Sequence, residues 1–230
     1  LFGYAAGAVI ASYVENFCTA TDKIAAHFHE WMTAAGGLYL RRHAPYVATL
    51  FTTHATVMGR CIAGNHLPLY TDLTKFNADE LARQFNVVAK HSIEKAAAAY
   101  HDAFVTVSDI TANECKFLLG REPDCITPNG FENDFVWTGE EYDAKRAEAR
   151  KTMISVAEAC LGEKFAEEPL IVGTSGRYEF RNKGIDVFIE SLKKLAASPR
   201  LKRQVLAYIT VPAANRGPRA DLQAHLADPS

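Results

Sequence analysis

Three clusters of polar residues follow predicted strands closely and carry side chains that could act on a ligand. In an open α/β sheet, ligands bind beside the carboxyl ends of the strands. The position of the clusters and their chemistry therefore agree, and we expect them to contribute to a binding site. The clusters are His27–Trp31, Thr52–Arg60 and Gly173–Gly184.

The third cluster places Arg177 and Lys183 in a loop that leads into a predicted helix. Gly176 lets a ligand approach the backbone closely. Two cations beside the positive end of a helix need a counter-anion, and a diphosphate would supply one. The cluster therefore favours a phosphate site, and the alternative is a solvated basic loop in which Arg177 pairs with Glu179. The spacing does not match that of a P-loop.

The second cluster ends a predicted buried strand with His54. The ring of this histidine can hydrogen-bond a sugar or a phosphate, and its backbone carbonyl can face a developing positive charge. Arg60 would supply a fixed cation for an anionic leaving group. The alternative is an ordinary turn followed by a surface arginine.

The first cluster has an H-x-H pattern, which also occurs after strands in metal-dependent hydrolases. Zinc needs three or four ligands, and the remaining ligands would have to come from elsewhere in the chain, so we expect no metal. The alternative is that one histidine packs in the core while Glu30 caps the following helix. We predict that His27 and His29 face opposite sides of the strand.

Short apolar runs alternate with helical patterns along the chain, which predicts an α/β architecture. A further helix is predicted to start at Thr111, because Thr111 and Glu114 have the spacing of a capping box. Pro128-Asn129-Gly130 predicts a turn. Strands are predicted at residues 23–28, 47–53, 104–107, 125–127, 170–174 and 204–211. Helices are predicted at residues 31–42, 86–100, 140–151 and 185–195, the third with a Glu141–Lys145 pair and the last with one buried face.

The composition excludes several classes of protein. A hydrophobic content of 48% is too high for a disordered chain. A formal net charge of −2 lacks the basic excess of a general nucleic-acid binder, and no apolar run reaches the ~18 residues of a transmembrane helix. The five cysteines form no evident disulfide framework, which favours a reducing compartment and a cytoplasmic location. We therefore expect neither nucleic acid nor a membrane as a partner.

Five motifs, in this order and at this spacing, resemble the glycogen synthases of the animal and fungal type. The similarity runs from about residue 1 to about residue 211, and the last residues match weakly. The matching stretches are His27–Trp31, Phe51–Thr56 with Gly59-Arg60, Thr106–Thr111, Thr127–Gly130, and Gly176–Glu179 with Asn182–Gly184.

The resemblance implies a GT-B-like α/β fold, in which two Rossmann-like domains face a cleft. Residues 1–130 would be the C-terminal part of the first domain, residues 131–168 a linker with an interdomain helix, and residues 169–230 the incomplete start of the second, nucleotide-sugar-binding domain. The family's N-terminal glycine-rich loop, its C-terminal pair of glutamates and its arginine-rich helix have no counterpart in this sequence. The chain therefore resembles a central fragment, which we expect to be inactive alone.

The resemblance also implies a retaining hexosyltransferase that moves glucose from UDP-glucose or ADP-glucose to the 4-OH end of glycogen or another α-1,4-glucan. It implies no metal or other cofactor and no protein nucleophile, and a homo-oligomer is one expected state of the full-length protein. By this resemblance, His54 positions the transferred glucose, and Arg177 and Lys183 hold the donor diphosphate beside Gly176 and Arg60. His29, Glu30, Asn129 and Asn182 would line the cleft.

Three alternatives stay open on the sequence. The first is another GT-B glycosyltransferase with a different acceptor, against which Thr53–Thr56 and Tyr178-Glu179 argue. The second is a metal-dependent hydrolase, which metal analysis of the purified protein would separate. The third is a non-catalytic glucan-binding relative, which glucan binding without turnover in the intact protein would support.

Overall fold

The computed structural model describes residues 1–227, apart from the side chain of His225. The chain divides into two compact units, Leu1–Gly130 and a second that begins at Phe131. Each unit contains a parallel sheet together with helices, so the predicted α/β class is confirmed. Within residues 1–227, no helix is both long enough and apolar enough to cross a membrane.

The first unit is built on four parallel strands, β1 (Ala25–His29), β2 (Ala48–Thr53), β3 (Ala103–Thr106) and β4 (Cys125–Ile126). Neighbours in this sheet are also neighbours in the sequence, in the order β1-β2-β3-β4. The four carboxyl ends consequently lie at one edge of the sheet, where His29 ends β1 and His54 follows β2. The topology thus brings the first two predicted clusters to the same edge.

The first unit also contains six α-helices among its described residues. Two of them match the helices predicted at residues 31–42 and 86–100, and three others lack a prediction. A 3₁₀ turn at Leu73–Lys75 and a π-helical segment at Cys115–Leu119 complete the unit. The helices are α1 (Phe2–Phe17), α2 (Glu30–His43), α3 (Val57–Gly64), α4 (Ala78–Gln84), α5 (Val88–Tyr100) and α6 (Asp109–Glu114).

The core of this unit decides which side chains of β1 remain available for chemistry. Phe28 pairs in register with Phe51, and Phe51 pairs with Phe104. All three side chains are at most 3% exposed, and the rings of Phe51 and Phe104 stack at 5.7 Å. Because side chains alternate along a strand, burial of Phe28 turns both His27 and His29 to the opposite, exposed face.

Helices α1 and α2 pack with their backbones in close approach. A Cβ on Gly7 would lie 2.6 Å from the carbonyl oxygen of Gly36, and one on Gly3 would lie 2.8 Å from the carbonyl oxygen of Met32. Neither distance leaves room for a side chain, so the crossing depends on glycine. Helix α2 begins at Glu30, and the crossing therefore also fixes the helix that starts at the predicted site.

The predicted capping box at Thr111 and Glu114 is wrong. Helix α6 begins at Asp109, and the Oγ of Ser108 accepts the Thr111 N–H at 3.2 Å. Ser108 has the extended backbone that an N-cap residue requires, with φ −161°. The carboxylate of Glu114 is buried, and it accepts a hydrogen bond from Thr56 instead of capping the helix.

The predicted turn at Pro128-Asn129-Gly130 is also wrong. Residues 127–130 adopt no turn, and the Thr127 N–H donates to the carbonyl oxygen of Thr106 at 2.7 Å. This bond holds the chain against β3 immediately after β4. Asn129, two residues later, is exposed.

The second unit contains α7 (Gly139–Leu161), β5 (Leu170–Ser175), α8 (Ile185–Ala196), β6 (Val205–Thr210) and α9 (Ala220–Ala227). Strands β5 and β6 pair in parallel along their whole length. Both were predicted, and both are confirmed within one or two residues at each end. Helix α9 lies beyond the last predicted strand and lacks a prediction.

Two details of the second unit differ from the predictions. Helix α7 continues well beyond residue 151, and its Lys145 pairs with Glu148 at 3.3 Å, an i,i+3 contact, whereas the sequence pattern favoured Glu141. On α8, Ile185 is buried but Ile189 is 45% exposed. The predicted buried face of α8 is thus only partly covered by the described residues.

Candidate functional site

Three histidines lie together at the carboxyl edge of the first sheet. The Nδ1 of His29 lies 3.1 Å from the Nε2 of His54, and their rings stack at 5.4 Å. The ring of His27 lies 4.1 Å from that of His29, and its Nε2 is 2.7 Å from the Oγ1 of Thr52. The predicted opposite orientation of His27 and His29 is wrong, because residues two apart in a strand share a face.

This crowding affects the charge of His27. Burial lowers the pKa of His27, and the neighbouring His29 and His54 lower it further. A neutral imidazole can accept a hydrogen bond through one nitrogen while it donates through the other. A neutral His27 can therefore both donate and accept hydrogen bonds in contacts with hydroxyl groups.

Glu30 connects the end of β1 to the loop that follows β2. Its Oε1 accepts the backbone N–H of His54 at 2.9 Å. Its own backbone has φ 64°, the left-handed region that a residue with a side chain adopts only at a conformational cost. The alternative in which Glu30 caps α2 and a histidine packs in the core is wrong, since α2 has no side-chain cap at its start and Phe28 fills the core.

Glu94, on α5, holds the same loop from inside the protein. One carboxylate oxygen accepts the Thr53 hydroxyl at 3.0 Å, and the other accepts the Val57 N–H at 2.9 Å. The side chain is fully buried. Burial raises the pKa of Glu94 to about 7, and the charges of Glu30 and Glu114 add to the rise.

Glu114, at the end of α6, binds Thr56 of the same loop. It accepts the Thr56 hydroxyl at 2.7 Å and the Tyr70 hydroxyl at 3.1 Å. Thr56 in turn accepts the Gly59 N–H at 2.9 Å and so caps α3. A Cβ on Gly59 would overlap the Glu114 carboxylate, so this glycine makes room for the buried acid.

Sequence reasoning missed Glu94 and Glu114 as parts of the site. A usable signal exists for Glu94, because His91, Glu94, Ala97 and Ala98 repeat at helical spacing and all are buried. An acidic residue on the apolar face of an alanine-rich helix needs a buried donor, and here the donors are on the β2–α3 loop.

Arg60 lies in the first turn of α3, one helical turn after the loop. It is half-buried, and its backbone N–H donates to the Thr56 carbonyl at 3.1 Å. The capped start of α3 therefore positions both His54 and Arg60. The structure does not decide between a cation for a leaving group and the alternative of a turn followed by a surface arginine, so the role of Arg60 stays a prediction.

The second group of predicted residues lies between β5 and α8. The Nε of Arg177 lies 2.9 Å from the Oε1 of Glu179, and the Nδ2 of Asn182 donates to the Oε2 of Glu179 at 3.4 Å. The ion pair expected for a solvated basic loop is thus present. The Arg177 side chain is nevertheless 57% exposed, so its guanidinium faces solvent on the sides that Glu179 leaves open.

Lys183 lies just before the start of α8, as the sequence predicts. Its Cδ is 3.5 Å from the position that a Cβ on Gly176 would occupy, so the stem of the lysine lies across this glycine. Gly184 caps α8 with φ 66°, which only glycine adopts without cost. The left-handed turn at Gly184 sets the direction in which Lys183 leaves the helix end.

The predicted site residues therefore form two groups, one in each unit. His29, Glu30 and His54 are in mutual contact in the first unit, and Arg60 follows on α3. Gly176, Arg177, Asn182 and Lys183 share one loop in the second unit. Asn129 follows β4 and is exposed. Among the described residues, it makes no hydrogen bond to a residue of either group.

Within the described residues, no three His, Cys, Asp or Glu side chains are arranged to hold a metal ion. A groove of about 550 Å³ runs along α7, and its walls include Arg146, Arg150 and Glu168. This groove contains none of the predicted site residues.

Comparisons with known proteins bear on most of the chain. The family model for glycogen synthase matches residues 1–221. The chain is 34% identical over 221 residues to the glycogen [starch] synthase of Dictyostelium discoideum, a match that covers 93% of this chain and 25% of that protein. It is 36% identical over 200 residues to glycogen [starch] synthase isoform 2 of Saccharomyces cerevisiae, covering 84% and 28% of the two chains.

A mammalian relative gives a similar result. The chain is 33% identical over 199 residues to the liver glycogen [starch] synthase of Homo sapiens, covering 83% of this chain and 28% of that protein. The chain thus spans between 25% and 28% of the length of these curated relatives.

Proposed function

The chain belongs to the glycogen synthase family, as its motifs predict, and from this premise we propose that the protein of which it forms part transfers glucose from a nucleotide sugar to an α-1,4-glucan. The donor is UDP-glucose or ADP-glucose, and the acceptor is the 4-OH at the non-reducing end. The observation that carries the proposal is the placement of His54 at the carboxyl edge of a parallel sheet, with its backbone anchored by Glu30. This is the edge at which open α/β sheets bind ligands.

The proposed reaction retains the configuration of the sugar. The bond between the glucose C1 and the donor phosphate oxygen breaks, and the acceptor 4-OH oxygen forms a new bond to C1 on the same face. The acceptor proton passes to the departing phosphate, so no protein nucleophile is required. The arrangement of His54 supports this scheme, because a half-buried carbonyl and imidazole can face the positive charge that develops at C1.

Cationic side chains take the negative charge of the leaving group in this proposal. Arg177 and Lys183 hold the donor diphosphate beside Gly176, and Arg60 lies near the phosphates. The partly exposed guanidinium of Arg177 and the position of Lys183 at the amino end of α8 support these roles. His29, Glu30, Asn129 and Asn182 line the cleft, and neither a metal nor another cofactor is needed.

We also propose the finer features of the fold and setting. The two units belong to two Rossmann-like domains of a GT-B enzyme, with residues 131–168 as the connection between them. The division of the chain after Gly130 and the parallel strands in each unit are consistent with this assignment. The full-length protein acts in the cytoplasm, where it can form homo-oligomers.

The proposal is tested by glucose incorporation into glycogen by the full-length protein, with UDP-glucose and ADP-glucose compared side by side and a metal chelator present. Incorporation from either donor supports the synthase assignment, and the preferred donor identifies the base. A folded protein that incorporates glucose from neither donor would contradict it. Other sugar acceptors, and glucan binding without turnover, would then be examined.

A further inference from the structure

The β2–α3 loop, residues 53–57, is held by carboxylates from three other elements. Each carboxylate accepts at least one donor of the loop, and together they take up four donors. His54 itself, Thr53 before it, and Thr56 and Val57 after it are thereby tied to the protein. The bonds are Thr53 Oγ1 to Glu94, His54 N to Glu30, Thr56 Oγ1 to Glu114, and Val57 N to Glu94.

Glu94 binds the chain on both sides of His54. Its partners are Thr53, the residue before His54, and Val57, the third residue after it. Its two oxygens accept from the Thr53 hydroxyl at 3.0 Å and from the Val57 N–H at 2.9 Å. A glutamine could accept only one of these bonds through its single carbonyl oxygen. Holding both Thr53 and Val57 therefore requires a carboxylate.

A buried carboxylate at this place is costly for the fold. Glu94 is 0% exposed, Glu114 is 6% exposed, and the recorded partners of both are hydroxyl and amide donors. Burying a carboxylate against neutral donors costs more free energy than burying an amide of the same size. If the loop had to be stable and nothing more, an amide side chain could hold it at a lower cost in free energy. The use of a carboxylate therefore indicates that the geometry of the loop matters for more than folding.

We propose that Glu94 is a positioning residue for the transfer reaction, which fixes the β2–α3 loop so that the ring and carbonyl of His54 face the donor sugar. This inference rests on the proposed function. Glu94 is buried, so it acts through Thr53 and Val57 and does not touch the substrate. Its removal should therefore slow the transfer step while the donor still binds.

The test compares Glu94→Gln with Asp102→Asn in the full-length protein. Asp102 is a matched control, because it accepts the Thr49 N–H at 2.7 Å and the Thr49 hydroxyl at 2.8 Å at the opposite end of β2. Each change replaces a carboxylate that accepts two hydrogen bonds from β2 or from the loop that follows β2. The readouts are kcat, KM for the donor, nucleoside diphosphate binding and thermal unfolding.

We expect Glu94→Gln to lower kcat by ~10-fold to ~10²-fold, the scale on which small misplacements act. The KM for the donor and the affinity for the nucleoside diphosphate should stay within about threefold of the wild-type values. Asp102→Asn should keep kcat within about threefold, whatever its effect on thermal unfolding. Provided that the wild type is active, two results would overturn the positioning role. One is a Glu94→Gln enzyme whose kcat stays within twofold of the wild-type value. The other is a Glu94→Gln enzyme whose kcat falls no further than that of Asp102→Asn.

A second variant covers the case in which Glu94→Gln fails to fold. Val57→Pro removes the N–H that Glu94 accepts, at the first residue of α3, where proline is tolerated. Thr56 already has φ −68° and ψ 143°, which suits a residue before proline. A folded Val57→Pro enzyme with unchanged kcat would overturn the inference. A wild type that transfers glucose from neither donor would instead overturn the proposed function itself.

Discussion

His54 makes separate contacts through its backbone and through its ring. Glu30 anchors its N–H, and His29 lies against its ring. His54→Ala in the full-length protein removes the ring and leaves the backbone bonds in place. We expect glucosyl transfer to fall by ~10²-fold or more while nucleoside diphosphate binding is largely kept.

Enzyme assays and calorimetry with the nucleoside diphosphate check this prediction. His66→Asn is a suitable control, since His66 is exposed and its left-handed backbone, φ 64°, also suits asparagine. Loss of nucleotide binding by His54→Ala would give the residue a structural role instead.

Arg177 is expected to act on the donor diphosphate, although it also pairs with Glu179. Removing one preorganised group that stabilises developing charge commonly costs ~10²-fold in turnover. We therefore expect Arg177→Ala to lower kcat of the full-length protein by about that factor. Arg181→Ala is the matched control, because Arg181 lies in the same loop but pairs with Asp186 at 2.8 Å.

Steady-state kinetics of the two arginine variants are sufficient for this comparison. A change below twofold for Arg177→Ala, or an equal loss in both variants, would count against a role at the diphosphate.

The buried carboxyl of Glu94 should make stability depend on pH. Its pKa rises from 4.5 to about 7 on folding, so the folded protein binds this proton more tightly than the unfolded chain does. The free energy of unfolding should therefore fall as the pH increases from about 4.5 to about 7, by roughly 3 kcal/mol from this group. Glu94→Gln lacks the titrating proton and should lose that part of the dependence.

Urea unfolding of both proteins at pH 5 and pH 8 measures the difference. The carboxyl groups of Glu30 and Glu114, whose charges act on Glu94, remain in the variant, so the comparison isolates the Glu94 proton. The same change in unfolding free energy between the two pH values in both proteins would contradict the prediction.

At this scale, sequence reasoning reached the residues that carry a recognisable motif. It placed His29, Glu30 and His54 at one edge, because parallel strands bring their ends together. It missed Glu94, because only the three-dimensional fold brings α5 under the β2–α3 loop. Whether Arg177 and Lys183 bind a phosphate stays a prediction, since their contacts within the loop do not depend on a ligand.

Among the elements, the crossing of α1 and α2 is the most sensitive to a small substitution. Gly7→Ala would place its Cβ 2.6 Å from the Gly36 carbonyl oxygen, which is backbone and cannot rotate away. The helices must separate, and overpacking of this kind typically destabilises a protein by ~1–3 kcal/mol. Because α2 begins at Glu30, activity should fall as well.

Gly130→Ala provides the control for this substitution, because no atom lies within 4 Å of the Cβ that it would add. Chemical denaturation of the two variants tests the prediction. A Gly7→Ala protein as stable as Gly130→Ala would show that the two helices can separate without cost.

Strong periodic patterns predicted the elements best. The strands of both sheets and helices α2, α5 and α8 follow from apolar runs and helical spacing. Helices α3 and α4 are short, and their start depends on the Thr56 and Asn77 caps, which the apolar pattern does not reveal. The start of α6 was misplaced because Ser108 and Thr111 both suit a cap, and the buried bond of Glu114 to Thr56 decides between them.

For the whole molecule, the size of the chain relative to its relatives leads to a direct prediction. The chain spans 25% to 28% of the length of three curated glycogen synthases. We therefore expect the isolated 230-residue chain to incorporate no measurable glucose into glycogen under conditions in which the full-length protein is active.

Circular dichroism should accompany that assay, so that an unfolded chain is not mistaken for an inactive one. Transfer by the isolated chain at a rate near that of the full-length protein would contradict the expectation.

The backbone of Glu30 has a consequence for how this protein could change under selection. A left-handed residue with a Cβ costs of order 1 kcal/mol relative to glycine, yet its side chain holds the His54 loop. Glycine at position 30 would relieve this backbone cost, but it would also remove the charged acceptor of the His54 N–H, a bond worth about 1.5–3 kcal/mol. We therefore expect evolution to keep an acidic residue at position 30 in spite of its backbone, because the bond to the loop outweighs the conformational cost.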